Sequence, residues 1–143
     1  MGLMTSEKRT VGILLAAGAG SRFTGNHHKL LSEIDGTPIW KHSLGQLVAA
    51  EIGPTIIVTG AAELHLDVDN VHEVHNPSWA EGQSTSLHAG IRFAEELGAD
   101  AAIIGLADQP GITTEAWRKL AQSSSSLATA TYNGDPGHPV RIA

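Results

Sequence analysis

The run Thr10-Val11-Gly12-Ile13-Leu14-Leu15-Ala16 passes directly into Ala17-Gly18-Ala19-Gly20, and no other feature narrows the possible folds as far. Its near-complete lack of polar side chains suits a strand buried on both faces, which is the condition of a central parallel strand. A glycine cluster at the end of such a strand lets the backbone turn sharply or come close to a ligand. Pro54 to Val58 and Asp100 to Leu106 repeat the apolar run, and Val71 to His75 alternates as a third strand would. Leu31 to Ile34 predicts a short strand ending in an Asp35-Gly36 turn, and Leu127 to Tyr132 a strand after the Ser123 to Ser126 linker.

Helical spacing fills the intervals. Thr37-Pro38 predicts a helix start, with Thr37 as N-cap and Pro38 as first helical residue, and Trp40, Leu44, Leu47 and Val48 form its apolar face before Gly53-Pro54. Ser84 to Leu97 carries Leu87, Ile91, Ala94 and Leu97 on one side, and Thr113 or Thr114 caps a helix bearing Trp117, Leu120 and Ala121. Gly18 to His28 and Asn76 to Gly82 read as loops, and Ala61 to Leu66 as a short helical or irregular piece. Apolar strands alternating with helices predict an α/β, Rossmann-like, doubly wound and mainly parallel sheet with helices on both faces.

At 143 residues, 41% of them hydrophobic and 17% charged, the expectation is one domain over residues 10–143 behind a polar tail, Met1 to Arg9. No apolar run is long enough to span a bilayer and the tail does not resemble a signal peptide, so the expected partners include no membrane. Absence of Cys removes disulfides and thiolate metal sites and suits the cytoplasm. A formal charge of −6 argues against nucleic acid. That charge is uneven. Residues 8–32 contain no Asp or Glu but hold Lys8, Arg9, Arg22 and Lys29, a distribution that leaves room for an anion.

The glycine loop fails both common phosphate fingerprints. Gly18 and Gly20 begin a dinucleotide motif, but Phe23 stands where its third glycine belongs; Gly20 and Gly25 have the Walker spacing, but Asn26 and His27 replace its Lys and hydroxyl. What remains is glycine backbone N–H able to approach phosphate oxygens, with Arg22 as a planar fork and Lys29 as a point charge. Asp108, just after a buried strand, suits either a divalent cation shared with phosphates or a turn. Ser84 and Ser86 suit helix capping or contact with a nucleotide, two compatible roles. The eight histidines show no ligand spacing: His27-His28 lie in the loop, and His72 and His75 on opposite faces of a strand. Trp40, Phe93, Trp117 and Tyr132 read as core, whereas Trp79 is the aromatic placed to face a ligand.

Leu15-Ala16-Ala17-Gly18-x-Gly20-x-Arg22 followed by Lys29-Leu30-Leu31 resembles the signature of the nucleotidyltransferases that load molybdopterin. In its two-alanine form it is most similar to the molybdenum cofactor cytidylyltransferases, and less to the guanylyltransferases, whose loop has a glycine at the place of Ala17. Gly82-Gln83-Ser84-Thr85-Ser86-Leu87 with Gly90 resembles the family's nucleotide-side helix start, Leu106-Ala107-Asp108-Gln109-Pro110 its metal-binding turn, and Gly137-His138-Pro139-Val140 its acceptor-side segment.

The resemblance implies transfer of CMP from CTP to the terminal phosphate of a molybdopterin, with release of pyrophosphate. It implies that Leu15, Ala16, Ala17, Gly18, Gly20, Gly82, Ser84 and Ser86 contact the nucleotide, and that Arg22 and Lys29 hold the β- and γ-phosphates. Asp108 would bind Mg2+, His138 would lie on the acceptor side, and a molybdoenzyme or its chaperone would receive the product. Two alternatives stay open. Ser86-Leu87-x-x-Gly90-Ile91 also resembles the methylerythritol-phosphate cytidylyltransferases, so a methylerythritol or sugar phosphate is a rival acceptor. Family members usually continue beyond the segment matched by Gly137 to Val140 and add a second acidic metal ligand, whereas this chain stops at Ala143, which raises a nucleotide-binding module without turnover.

Overall fold

The computed structural model describes residues 9–17, 32–60, 64, 66, 70–109, 111–122, 127–132 and 135–142, with backbone alone over 127–132 and 135–138. Its centre is the apolar run, strand β1 (Thr10–Ala16), every residue of which beyond Thr10 is buried. Two short strands, β2 (Glu33–Ile34) and β3 (Thr37–Pro38), form a separate hairpin. They are followed by helix α1 (Ile39–Ala49), strands β4 (Thr55–Thr59) and β5 (Val71–His75), a single 3-10 turn at Trp79–Glu81, and helix α2 (Gln83–Glu96). Strand β6 (Ala101–Leu106), helix α3 (Thr114–Ala121), and strands β7 (Leu127–Tyr132) and β8 (Asp135–Ile142) complete the order.

The main sheet runs β5-β4-β1-β6-β8-β7. The first four strands are parallel, with β1 registered against β4 from Gly12↔Thr55 and against β6 from Thr10↔Ala101. The last two are antiparallel. Side chains of β1 alternate between two cores. Leu14 and Ala16 meet Trp40, Leu44, Leu47, Trp117 and Leu120 on the α1/α3 side, whereas Val11, Ile13 and Leu15 meet Ile56, Val58, Ile104 and Ala94 on the α2 side. Helices therefore cover both faces, as the doubly wound reading expects. Gly12 permits this closeness, since a Cβ there would fall 2.5 Å from Leu47 Cδ1.

The buried strands emerge at the expected places because two-sided burial leaves them no other reading. Three local expectations change. Thr37-Pro38 does not open α1: Asp35 (φ 54°) and Gly36 (φ 81°) make a tight hairpin turn that draws Thr37–Pro38 into pairing with Glu33–Ile34. The N-cap is Pro38, without a side-chain cap, and the helix starts at Ile39. The second change is β8, which sequence reading leaves without an element because Pro136, Gly137 and Pro139 interrupt it. The register shift between Thr129 and Ala130 absorbs the conflict at Pro139, since the pairing jumps from Thr129↔Val140 to Ala130↔Gly137 and leaves His138 and Pro139 outside the ladder, while Pro136 stays registered with Thr131. Third, the expected loop between Asn76 and Gly82 contains the 3-10 turn.

Between the two candidate caps of α3, Thr113 does the capping: its hydroxyl accepts from Ala116 N–H at 3.1 Å. Thr114 instead ties α3 to α1, donating its hydroxyl to Gln46 Oε1 at 2.6 Å. Thr113→Ala is accordingly expected to cost about 1 kcal/mol of stability, measured by urea unfolding. The Ala61 to Leu66 piece lies largely outside the described residues. No helix among the described residues is long and apolar enough to cross a membrane.

Candidate functional site

The order β5-β4-β1-β6 reverses direction at β1: the chain first adds strands on one side of it, then returns to place β6 on the other. At such a switch point the connections leave the carboxyl ends of two neighbouring strands in opposite directions and open a crevice. Leu15, Ala16 and Ala17 bring β1 to that edge, all of them buried. Ala107 N–H donates to the Leu15 carbonyl at 2.9 Å, which fastens the ends of β1 and β6 together.

Asp108 lies one residue beyond this bond. It is exposed, and its carboxylate has no hydrogen bond or ion pair among the described residues. Free carboxylate oxygens at a crevice suit a hydrated divalent cation, which takes one or two carboxylates and completes its octahedron with phosphate oxygens and water. No group of three or more His, Cys, Asp or Glu side chains that could hold a metal ion is found among the described residues.

The next wall is the start of α2. Its N-cap is Gly82, at φ 127° and ψ 162°, a conformation that favours glycine, and it supplies no side-chain oxygen. With no acidic residue in the first turn, the leading N–H groups and the positive end of the helix dipole stay open to an anion. Ser84 and Ser86 fall inside the helix, so neither is the N-cap. Ser84 is exposed, whereas Ser86 is 3% exposed.

Ser86, Leu15, Ala17, Trp79 and Gln83 enclose a cavity of about 80 Å³. A second cavity of about 290 Å³ shares Leu15 and Gln83 with it and runs over Ile104 and Val140. Trp79, half-buried, therefore does face a cavity, whereas Trp40 and Trp117 are core at 3% and 1% exposure. Gly60 lets two of the walls of the smaller cavity lie close to it, because a Cβ there would meet Ala17 and Trp79 at 2.8 Å.

The structure thus brings Leu15, Ala16, Ala17, Asp108, Gly82, Ser84 and Ser86 to one edge of the sheet. The backbone of His138 joins them: β8 is antiparallel to β6 with Ile104↔Val140, so the chain ahead of Val140 continues toward the end that carries Asp108. Gly18, Gly20, Arg22 and Lys29 lie outside the described residues, as does the side chain of Tyr132. Sequence reading did not single out Asn76, which is 4% exposed and hydrogen-bonded to the first turn of α2. Its one signal was an Asn before Pro at a strand end, where an Asx turn is favoured.

A family model described as MobA-like NTP transferase domain matches residues 12–143. The bifunctional protein GlmU of Acidiphilium cryptum (strain JF-5) is 31% identical over 138 residues, 91% of this chain and 30% of that protein. The molybdenum cofactor cytidylyltransferase of Escherichia coli (strain K12) is 29% identical over 94 residues, 62% of this chain and 47% of that protein. The chain therefore spans less than half the length of either relative. Among solved structures, Rv0371c from Mycobacterium tuberculosis H37Rv matches with a TM-score of 0.82 at 21% identity, over 96% of this chain and 72% of that one. A complex of that protein with manganese matches with a TM-score of 0.67 at the same 21% identity, over 95% of this chain and 71% of that one. Likeness at that identity speaks for the shared fold.

Proposed function

The chain belongs to the MobA-like NTP transferase domain family, and on that premise we propose that it transfers CMP from CTP to the phosphate of a molybdopterin-type cofactor, releasing pyrophosphate. The observation that carries this reading is the switch-point crevice itself. It has the Asp108 carboxylate, without a partner among the described residues, on one lip, buried Leu15 to Ala17 on the other, and a helix N-terminus without a side-chain cap on its rim.

In the proposed reaction an oxygen of the acceptor phosphate attacks the α-phosphorus of CTP, and the bond from that phosphorus to the α/β bridging oxygen breaks. The bonding electrons leave with pyrophosphate. No nucleophile of the protein is required, so the task of the chain is positioning and charge stabilisation. Gly18 and Gly20 supply backbone N–H to the phosphates, and Arg22 and Lys29 hold the β- and γ-phosphates and offset the charge gathering on the leaving group. Asp108 would hold the divalent cation, taken as Mg2+, which would supply charge neutralisation to the phosphates. Gly82 and Ser84 face the nucleotide with the helix N-terminus, Ser86 and Trp79 take its nucleoside, and His138 lies on the acceptor side. Ala17 and the likeness to the cytidylyltransferase favour CTP. Transfer of the product to a molybdoenzyme or its chaperone completes the proposal.

Calorimetry with CTP, GTP, ATP and UTP in Mg2+ tests the nucleotide. CTP is expected to bind at least about tenfold more tightly than the others, a difference one or two placed hydrogen bonds supply. Tightest binding of GTP would overturn the cytidylyl reading. The Ser86-Leu87-x-x-Gly90-Ile91 pattern favours methylerythritol phosphate as the second acceptor to assay.

A further inference from the structure

Asn76 follows β5, and its own N–H donates to the Thr59 carbonyl at 2.7 Å, so its backbone is fixed to the sheet. Its side chain reaches three groups. The Ser78 backbone N–H lies 2.9 Å from Oδ1, and since a backbone N–H only donates, this contact fixes which end of the amide is oxygen. The other end is then NH2, and it donates to Thr85 Oγ1 at 2.9 Å and to Ser86 Oγ at 2.8 Å.

Both hydroxyls are therefore acceptors toward Asn76, and each must send its hydrogen elsewhere. Thr85 has local acceptors for its hydrogen, the Gly82 carbonyl at 2.7 Å and the Ser78 carbonyl at 3.0 Å. The Ser86 hydrogen has no acceptor among the described residues, although the side chain is 3% exposed and lines the 80 Å³ cavity. A buried hydroxyl with an unspent donor costs free energy unless a ligand supplies the acceptor.

We infer that Asn76 is a specificity-determining positioning residue: by filling an acceptor site of Ser86, it turns that hydroxyl into a hydrogen-bond donor facing the cavity. The inference rests on the reading that this cavity takes the nucleoside. A donor selects bases whose edge accepts. Both rings accept at O2, and uracil also at O4, but at N3 cytosine accepts whereas uracil carries a hydrogen and repels a donor, so the Ser86 hydroxyl discriminates where it meets N3. Asn76 thus favours CTP over UTP without touching either. Replacing the amide by a carboxylate of the same shape reverses the polarity, because a carboxylate only accepts and Ser86 must then donate to it.

The test is calorimetric titration of the 143-residue chain with CTP and with UTP in Mg2+, for wild type, Asn76→Asp, Ser86→Ala and the double variant. The readout is the ratio of the two dissociation constants. The added negative charge of Asn76→Asp weakens both nucleotides alike and cancels in that ratio, as does any general loosening. Asn76→Asp is expected to lower the preference for CTP about tenfold, and to leave the ratio unchanged once Ser86 is already Ala. Equal weakening of CTP and UTP by Asn76→Asp, or the same change of ratio with Ala at 86, would overturn the inference. Should Asn76→Asp not fold, Ser86→Ala alone decides it: a reduced preference supports the inference and a retained one overturns it. Failure of the wild-type chain to bind CTP is a different result, since it removes the nucleoside reading together with everything built on it.

Discussion

Asp108→Ala is expected to lower pyrophosphate release from CTP, in the presence of Mg2+ and a molybdopterin acceptor, by about 10³-fold, the scale of a metal's charge stabilisation in phosphoryl chemistry. Thermal unfolding should shift by less than about 0.5 kcal/mol, because an exposed side chain with no hydrogen bond or ion pair among the described residues contributes little to the fold. The combination matters more than either half. Loss of activity with loss of stability would describe a damaged turn, whereas loss of activity in a protein of unchanged stability isolates the carboxylate. Equal pyrophosphate release by wild type and variant would remove Asp108 from the mechanism. CTP binding without turnover in both would favour a nucleotide-binding module.

The second large effect is structural. Trp117 is 1% exposed in the core on the α1/α3 side, and its ring presses on β6 where Gly105 has no side chain: a Cβ there would meet the indole at 2.5 Å. Trp117→Ala empties that contact and is expected to cost about 3–5 kcal/mol, a loss large enough to unfold a marginal domain near body temperature. Trp117→Phe should cost much less. It keeps most of the ring, and it removes an indole N–H that is buried without a hydrogen-bond partner among the described residues. Urea unfolding of the two variants beside wild type checks this ordering. Because Asp108 hangs from the end of β6, the same packing that stabilises the domain also sets the position of the site.

How much of this the sequence disclosed follows from how local each cause is. β1 and β6 are legible because two-sided burial writes itself into consecutive residues, and Leu15 to Ala17 and Asp108 inherit their places from those strand ends. These four residues beside the crevice are candidates on the sequence alone, and the sheet order explains why they meet. β8 was illegible for the opposite reason. Pro139 is accommodated by a bulge in pairing with β7 that takes it out of the ladder, whereas Pro136 stays registered with Thr131, and a bulge is a relation between two strands. Thr37 looked like a cap because local propensity cannot weigh the pull of the Asp35-Gly36 hairpin.

Within the site, Ser86 was readable as a serine at a helix start, but its polarity was not. That polarity depends on Asn76, ten residues away, and on Ser78 fixing the amide. Gly60 was equally silent, since its meaning lies in how close Ala17 and Trp79 come to it. The charge pattern was informative on a finer scale than the total. A net −6 says little about ligands, whereas the acid-free residues 8–32 mark the segment that the proposed reaction needs for a triphosphate.

If one triphosphate gathers these groups at the switch point, a crystal structure of the chain with CTP and Mg2+ shows it. The expected result has Arg22 and Lys29 on the β- and γ-phosphates, Asp108 on the metal, and the cytosine ring in the cavity beside Ser86 and Trp79. CTP bound away from the carboxyl ends of β1 and β6, or bound there with Asp108 turned away from the metal, would contradict the account.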